Sequence, residues 1–168
     1  MVAVLALLTT IIIQILETRK SRATRVVDLI LGLEDRFQSP SLIEQRRAAA
    51  RFLLQYNDVE DGRSLPPDDP KWEDMDDIID FFQTLGTMTK TGHLSKELVY
   101  KFFFPWLRVY WSGADSYIKS VRKDPVVWAD AEWLYQTVVQ LEKKLNKSRR
   151  LQRDLDGWKR FVEAEATL

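Results

Sequence analysis

The sequence predicts an all-α protein, a small helical bundle of four to five helices with an N-terminal membrane-anchor helix. Three observations lead there. Apolar residues recur at three- and four-residue spacing along most of the 168 residues, which is the signature of helices that bury one face. No period-two alternation is long enough for a strand. The chain also opens with a continuous apolar run bounded by a cluster of basic residues. The organisation that follows is a membrane anchor at 1–17, a cytoplasmic helical bundle at 18–148 and a charged C-terminal extension at 149–168.

The first element is Val2 to Leu16, in which ten of fifteen residues are Val, Leu or Ile and only Thr9, Thr10 and Gln14 are polar. Ten such residues favour insertion by about 3 to 6 kcal/mol. Sixteen helical residues cover about 24 Å, less than a hydrocarbon core of about 30 Å, so a span this short thins the bilayer or draws its flanks inward. Arg19, Lys20, Arg22 and Arg25 follow the run and no Lys or Arg precedes it. That asymmetry predicts a single pass through the inner (plasma) membrane with the C-terminal domain in the cytoplasm. A cleaved signal peptide fits worse, because the basic n-region is missing. The alternative is a soluble protein whose first helix is buried core.

Helical spacing continues through Val26, Leu29, Ile30, Leu33 and Phe37. Ser39 with Pro40 at the first helical position, or Ser41 with Glu44 as a capping box, starts the next helix to about Tyr56. Leu42, Ala49, Phe52, Leu53 and Tyr56 form its expected buried side. Residues 57–70, with three Pro, one Gly and five carboxylates, read as an exposed loop. Asp69 and Pro70 open a helix striped by Trp72, Met75, Ile78, Ile79, Phe82 and Leu85. After the turn at Thr91, Gly92 and His93, Ser95 caps a segment apolar at nearly every position, the expected central helix, kinked or restarted at Pro105. Asp124 with Pro125 opens a long helix with a seam at Val127, Ala131, Leu134, Val138, Leu141 and Leu145. The tail beyond it is either a frayed extension or a short separate helix.

The composition narrows the chemistry. With no Cys and a single His, disulfides, cysteine-ligated zinc and thiol catalysis are excluded. Net charge is zero but segregated: residues 17–57 carry eight basic against five acidic side chains, and 58–80 carry two against ten. A neutral chain with an acidic block does not suit nucleic acid. Glu73, Asp76, Asp77 and Asp80 share one helix face and invite a hard cation, yet carboxylates in the first turns of a helix also complement its dipole and solvate its outer side. His93 lacks a neighbouring nucleophile motif, and no phosphate-binding glycine loop exists. No catalytic, cofactor-binding or metal-ligating residue is therefore expected. The stripe Trp111, Asp115, Ile118 and Arg122 suggests a polar pair, Asp115 with Arg122, inside the core, since an Arg on an apolar stripe is paired rather than bare.

The pattern Ile79, Phe81, Phe82 and Gly86, the turn Gly92-His93-Leu94, then Glu97-Leu98-Val99, Phe103, Tyr110-Trp111, Ile118 and Arg122, after an apolar N-terminus and a basic juxtamembrane stretch, resembles a bacterial family catalogued as domain of unknown function 4760. The resemblance implies a small helical protein on a membrane anchor and assigns no catalytic residues. The Asp-rich loop and the charged tail are its least typical parts.

The function expected is a non-enzymatic, membrane-anchored interaction or scaffold protein. The alternative is an enzyme or ligand-binding protein with a site inside the bundle. Its partners are the membrane, through the first helix, and a protein or a second copy. Val26, Ile30, Leu33 and Phe37 form a candidate interface for a parallel homo-oligomer. The competing expectation is that this seam buries against Leu134, Val138, Leu141 and Leu145 within one chain.

Overall fold

A computed structural model describes residues 2–57, 72–121, 126–145 and 155–168. Among them helices joined by short turns are the only regular structure, seven in number: α1 (Val2–Phe37), α2 (Pro40–Asn57), α3 (Glu73–Lys90), α4 (Lys96–Gly113), α5 (Asp115–Val121), α6 (Ala129–Leu145) and α7 (Leu155–Thr167). Seven rather than four to five arises in two places. The stretch expected as one helix from Ser95 divides at Ala114, whose φ of −93° and ψ of 5° depart from helical values. Part of the charged tail forms α7.

Two compact units make up the chain, residues 1–36 and 37–168. The first is the body of α1. The apolar run expected as an anchor lies within α1, and of its side chains only that of Gln14 belongs to the described residues. Among the described residues no helix is long and apolar enough to cross a membrane. Arg25 donates to Ser21 Oγ at 3.0 Å and Thr24 to the Lys20 carbonyl at 3.1 Å, all on an exposed surface.

The second unit is a bundle built on α3 and α4. Ser39 starts α2: its carbonyl accepts from Ile43 N–H at 2.9 Å and Pro40 takes the first helical position. Glu44 pairs with Arg47 instead of completing a capping box. All six expected stripe residues of α3 are buried, and Phe81 joins them. Gly92, at φ 78°, turns the chain out of α3, and the N–H groups of His93 and Leu94 both reach Met88 O. Only glycine adopts that backbone without strain, so the turn explains the residue. Ser95 then caps α4 by accepting from Leu98 N–H at 3.3 Å. The helix runs unbroken through Pro105, which faces solvent. Phe37, Phe81 and Phe103 form the aromatic centre, with centroids 4.9 to 5.6 Å apart in tilted and edge-to-face pairs.

Helix α6 begins at Ala129, after a turn, so Val127 stands exposed rather than heading the expected seam; Leu145 is exposed as well, and Ala131, Leu134 and Val138 form the buried part. The expected starts at Asp69-Pro70 and Asp124-Pro125, and the loop over 58–70, lie outside the described residues. Packing of α6 on α3 is close because Gly86 has no side chain: a Cβ there would lie 2.2 Å from the Asp130 carbonyl oxygen. Gln83 Oε1 accepts from both Asp130 and Ala131 N–H, at 3.1 and 2.9 Å, satisfying two of the free amides that open α6. Helix α7 packs on α2 and α4.

Candidate functional site

The most developed polar chemistry in the bundle lies where α7 meets α2 and α4. Arg46 occupies the buried stripe of α2 at Leu42, Arg46, Ala49 and Leu53, and is only 2% exposed. Its guanidinium carbon sits 4.3 Å from the centroid of the Phe37 ring and 5.8 Å from that of Trp106, a placement that favours a cation. Nη1 donates to the Phe37 carbonyl at 3.0 Å. Nε lies 3.0 Å from Glu165 Oε2, an ion pair without a well-aligned hydrogen bond.

Glu165 is delivered by α7, whose inner face is Trp158, Phe161, Val162, Glu165 and Ala166, at i, i+3, i+4, i+7 and i+8. Both of its oxygens are engaged. Trp106 Nε1 donates to Oε1 at 3.0 Å, and the Tyr110 hydroxyl donates to Oε2 at 3.2 Å. Tyr110 O–H also lies 3.1 Å from the Arg46 carbonyl. Burial, then the Glu165 charge, pushes the Tyr110 phenol well above its ordinary range despite the opposing pull of Arg46, so it stays a donor at physiological pH. Arg46, Trp106 and Tyr110 thus converge on one carboxylate. At the far end of α7, Arg51 Nε donates to the Ala166 carbonyl at 3.1 Å, the placement in which a cation complements a helix C-terminus.

A second polar cluster joins α3 to the segments around α5 and α6. Tyr117 O–H donates to Asp76 at 2.9 Å and Trp128 Nε1 to Asp80 at 2.7 Å, while Gln45 binds Asp77. Tyr117 stacks on Trp72 with centroids 3.9 Å apart. Burial and the neighbouring carboxylates Asp80, Asp77 and Glu73 raise the Asp76 carboxyl, against the Tyr117 hydrogen bond. Burial, followed by Asp77, Glu73 and Glu44, raises Asp74. Trp128 holds φ at 52°, costly for a bulky side chain. The acidic face is therefore engaged by partner helices, and among the described residues no three His, Cys, Asp or Glu side chains gather around a metal-sized point.

The residues expected from the sequence lie elsewhere. Asp115 opens α5 at the surface and pairs with Lys119 at 2.6 Å, so it is not a core residue; Arg122 lies outside the described residues. Asp115 faces solvent because α4 ends at Gly113 and the new helix begins at Asp115 itself, which resets the helical phase behind the Trp111 stripe. Of the basic flank, Lys20 and Arg25 are exposed, whereas the side chains of Arg19 and Arg22 lie outside the described residues. Of the candidate interface, Val26 is half-buried and Ile30, Leu33 and Phe37 are buried, whereas Val27 and Leu31 stand exposed. His93 sits in an exposed turn with Nδ1 2.8 Å from Thr91 Oγ1.

The family described as Domain of unknown function (DUF4760) matches residues 1–138. The chain belongs to this family. No curated protein and no solved structure matches it. Within the DUF4760 match lie Arg46, Trp106 and Tyr110, and beyond it lies Glu165, the carboxylate they hold.

The pairing of Arg46 with Glu165 escapes the sequence reading, although a signal for it exists. Each is a charge of opposite sign standing in an otherwise apolar helical stripe. The same signal marks Glu142 on α6, which is buried 3.9 Å from Arg108. Burial raises its carboxyl while Arg108 opposes.

Proposed function

We propose that this DUF4760 chain is a membrane-anchored interaction protein, held by the first part of α1 in the inner membrane with the bundle of residues 37–168 in the cytoplasm. One observation carries the interaction half: the bundle's polar side chains, from the buried Arg46 to the exposed Asp80, are used to hold other segments of the chain. Arg46, Trp106 and Tyr110 hold a carboxylate of α7, Gln83 holds the start of α6, and Asp76 and Asp80 hold the aromatics beside α5 and α6. Support for the anchor is the run of Val, Leu and Ile before Glu17 and the basic residues after it.

Replacing Leu8 and Ile12 together with Asp tests the anchor. Each Asp at the centre of a span opposes insertion by about 2.5 to 3.5 kcal/mol. Wild-type protein is expected to stay with membranes through a carbonate wash and the double variant to appear in the supernatant. Wild-type protein released by carbonate overturns the anchor.

A further inference from the structure

Charge along α1 is banded. Residues 2–16 carry no charged side chain, residues 17–25 carry four basic against one acidic, and residues 26–36 carry three acidic against one basic. The helix is continuous across all three bands, so each band has a fixed height along one axis. At about 1.5 Å per residue, Arg19 to Arg25 span about 9 Å, which matches the depth of about 8 to 10 Å over which a charged surface acts at physiological salt. The sign reverses just beyond Arg25, at Asp28.

The basic band also runs around the axis. At about 100° per residue, positions 19, 20, 22 and 25 stand at about 0, 100, 300 and 240°, so no single side of the helix collects the charge. A protein or nucleic acid docked beside a helix reads one face, whereas a surface that the helix passes through meets its whole circumference. Among the described side chains of this band, Lys20, Ser21, Thr24 and Arg25 are exposed. Arg25 is drawn back one turn, its Nη2 donating to Ser21 Oγ at 3.0 Å. That bond sets the guanidinium at the level of Ser21, about 6 Å closer to the apolar run than its own backbone. It uses one of the guanidinium's donors and leaves others to address an oxyanion.

We propose that residues 19–25 form a collar that binds the headgroup phosphates of anionic lipids in the leaflet where α1 leaves the membrane. Arginine supplies a planar fork that matches two phosphate oxygens, and lysine a point charge. A zwitterionic headgroup offers the same phosphate with a cation beside it, so charge selects the anionic lipid. The acidic band that follows repels the same headgroups, and the two bands together fix the height at which the helix stands in the bilayer. The proposal rests on the anchor reading and names the lipid that the anchor gathers.

The test uses full-length protein in neutral detergent with equal amounts of phosphatidylglycerol and phosphatidylcholine, and native mass spectrometry counts the lipids each molecule retains. Without a bilayer, the direction of insertion does not enter the readout. Wild type is expected to retain phosphatidylglycerol over phosphatidylcholine by at least about threefold. Changing Arg19, Lys20, Arg22 and Arg25 together to Gln should bring the ratio to about one at wild-type helical content, while Arg19→Lys, Arg22→Lys and Arg25→Lys together, which keep the charge, should preserve most of the preference. A wild-type ratio of about one, a preference that survives the Gln changes, or a Lys variant as unselective as the Gln variant overturns the proposal. Inorganic phosphate or an oligoglutamate peptide that displaces phosphatidylglycerol at equal concentration overturns the lipid assignment, in favour of a free anion or an acidic protein. Release of wild type by carbonate fells the anchor, whereas carbonate resistance with no lipid preference fells the collar alone.

Discussion

Where α3 meets α6, the two helices approach until a methyl group on Gly86 has no room, and the free amides of α6 are taken by Gln83. Where α7 meets α2 and α4, the contact is organised around a buried Arg46 and a buried Glu165. The first junction is governed by shape: it rejects added volume, and its Lys90–Asp130 ion pair lies at the solvent-exposed rim. The second is governed by charge: it tolerates a change of shape better than the loss of one partner. The comparison teaches that the two junctions answer to different substitutions, since close backbone packing is disturbed by an added carbon and a buried ion pair by the loss of one charge.

The largest effect is expected at the charged junction. Arg46→Ala leaves Glu165 buried without its cation and should lower stability by about 3 to 5 kcal/mol. The double change Arg46→Met with Glu165→Leu, which removes both charges, should recover most of that loss in urea unfolding. A single variant and a double variant of equal stability would show that the junction is not charge-governed.

Next comes the steric junction. Gly86→Ala places a carbon against backbone, which yields little, so overpacking of about 1 to 3 kcal/mol should outweigh the roughly 1 kcal/mol that Ala gains over Gly in a helix. Gly113 is the control: its added Cβ would meet Leu53 Cδ1 at 2.9 Å, the far end of a flexible side chain. Gly113→Ala should therefore cost less than Gly86→Ala in the same unfolding experiment, and the reverse order would break the steric account. Gln83→Ala, which removes a cap shared by two amides, should cost about 0.5 to 2 kcal/mol.

The smallest effects are those of pH, and they sharpen the contrast between the two ends of α3. Hydrogen bonds from Lys90 and Thr87 hold the Asp130 carboxyl below its usual range. Its contribution is present above the unfolded carboxylate value and is lost as pH falls through the lowered folded value. Asp74 and Asp76 are raised, so their contribution is present below the unfolded value and is lost as pH rises through the raised one. Mild acidification from neutral should first stabilise the Asp76 end, and stronger acid should then weaken the Asp130 end. Asp76→Asn keeps the acceptor for Tyr117 and removes the charge, so it should flatten the first rise in a series of melting temperatures from pH 7 to pH 4. An unchanged rise would place its origin elsewhere.

What was legible in the sequence follows the same division. The stripe of α3, the Ser95 cap and the Gly92 turn are local, each set by residues within a turn or two of one another, and all stand where spacing and capping rules put them. Helix α7 was readable only as one of two alternatives, because its charges dilute the apolar face. The break at Ala114 follows Ser112-Gly113, a turn signal that the continuing apolar spacing of Trp111 and Ile118 overrode. Arg46 and Glu165 were illegible for a different reason: a charged residue in an apolar stripe declares that a partner exists but not where, and here 119 positions separate the two. Asp115 shows the converse error, in which spacing suggested a core position for a residue that the start of α5 turns to solvent.

That separation also has a meaning in time. A ribosome adding about 5 to 20 residues per second delivers Glu165 roughly 6 to 24 s after Arg46, by which point α2, α3, α4 and α6 have all been synthesised. Through that interval Arg46 lacks the carboxylate it pairs with in the folded chain, and its guanidinium is best served by water. The nascent bundle therefore has reason to leave its α2–α4 cleft hydrated and ajar, and the arrival of α7 marks the moment at which the newborn chain closes.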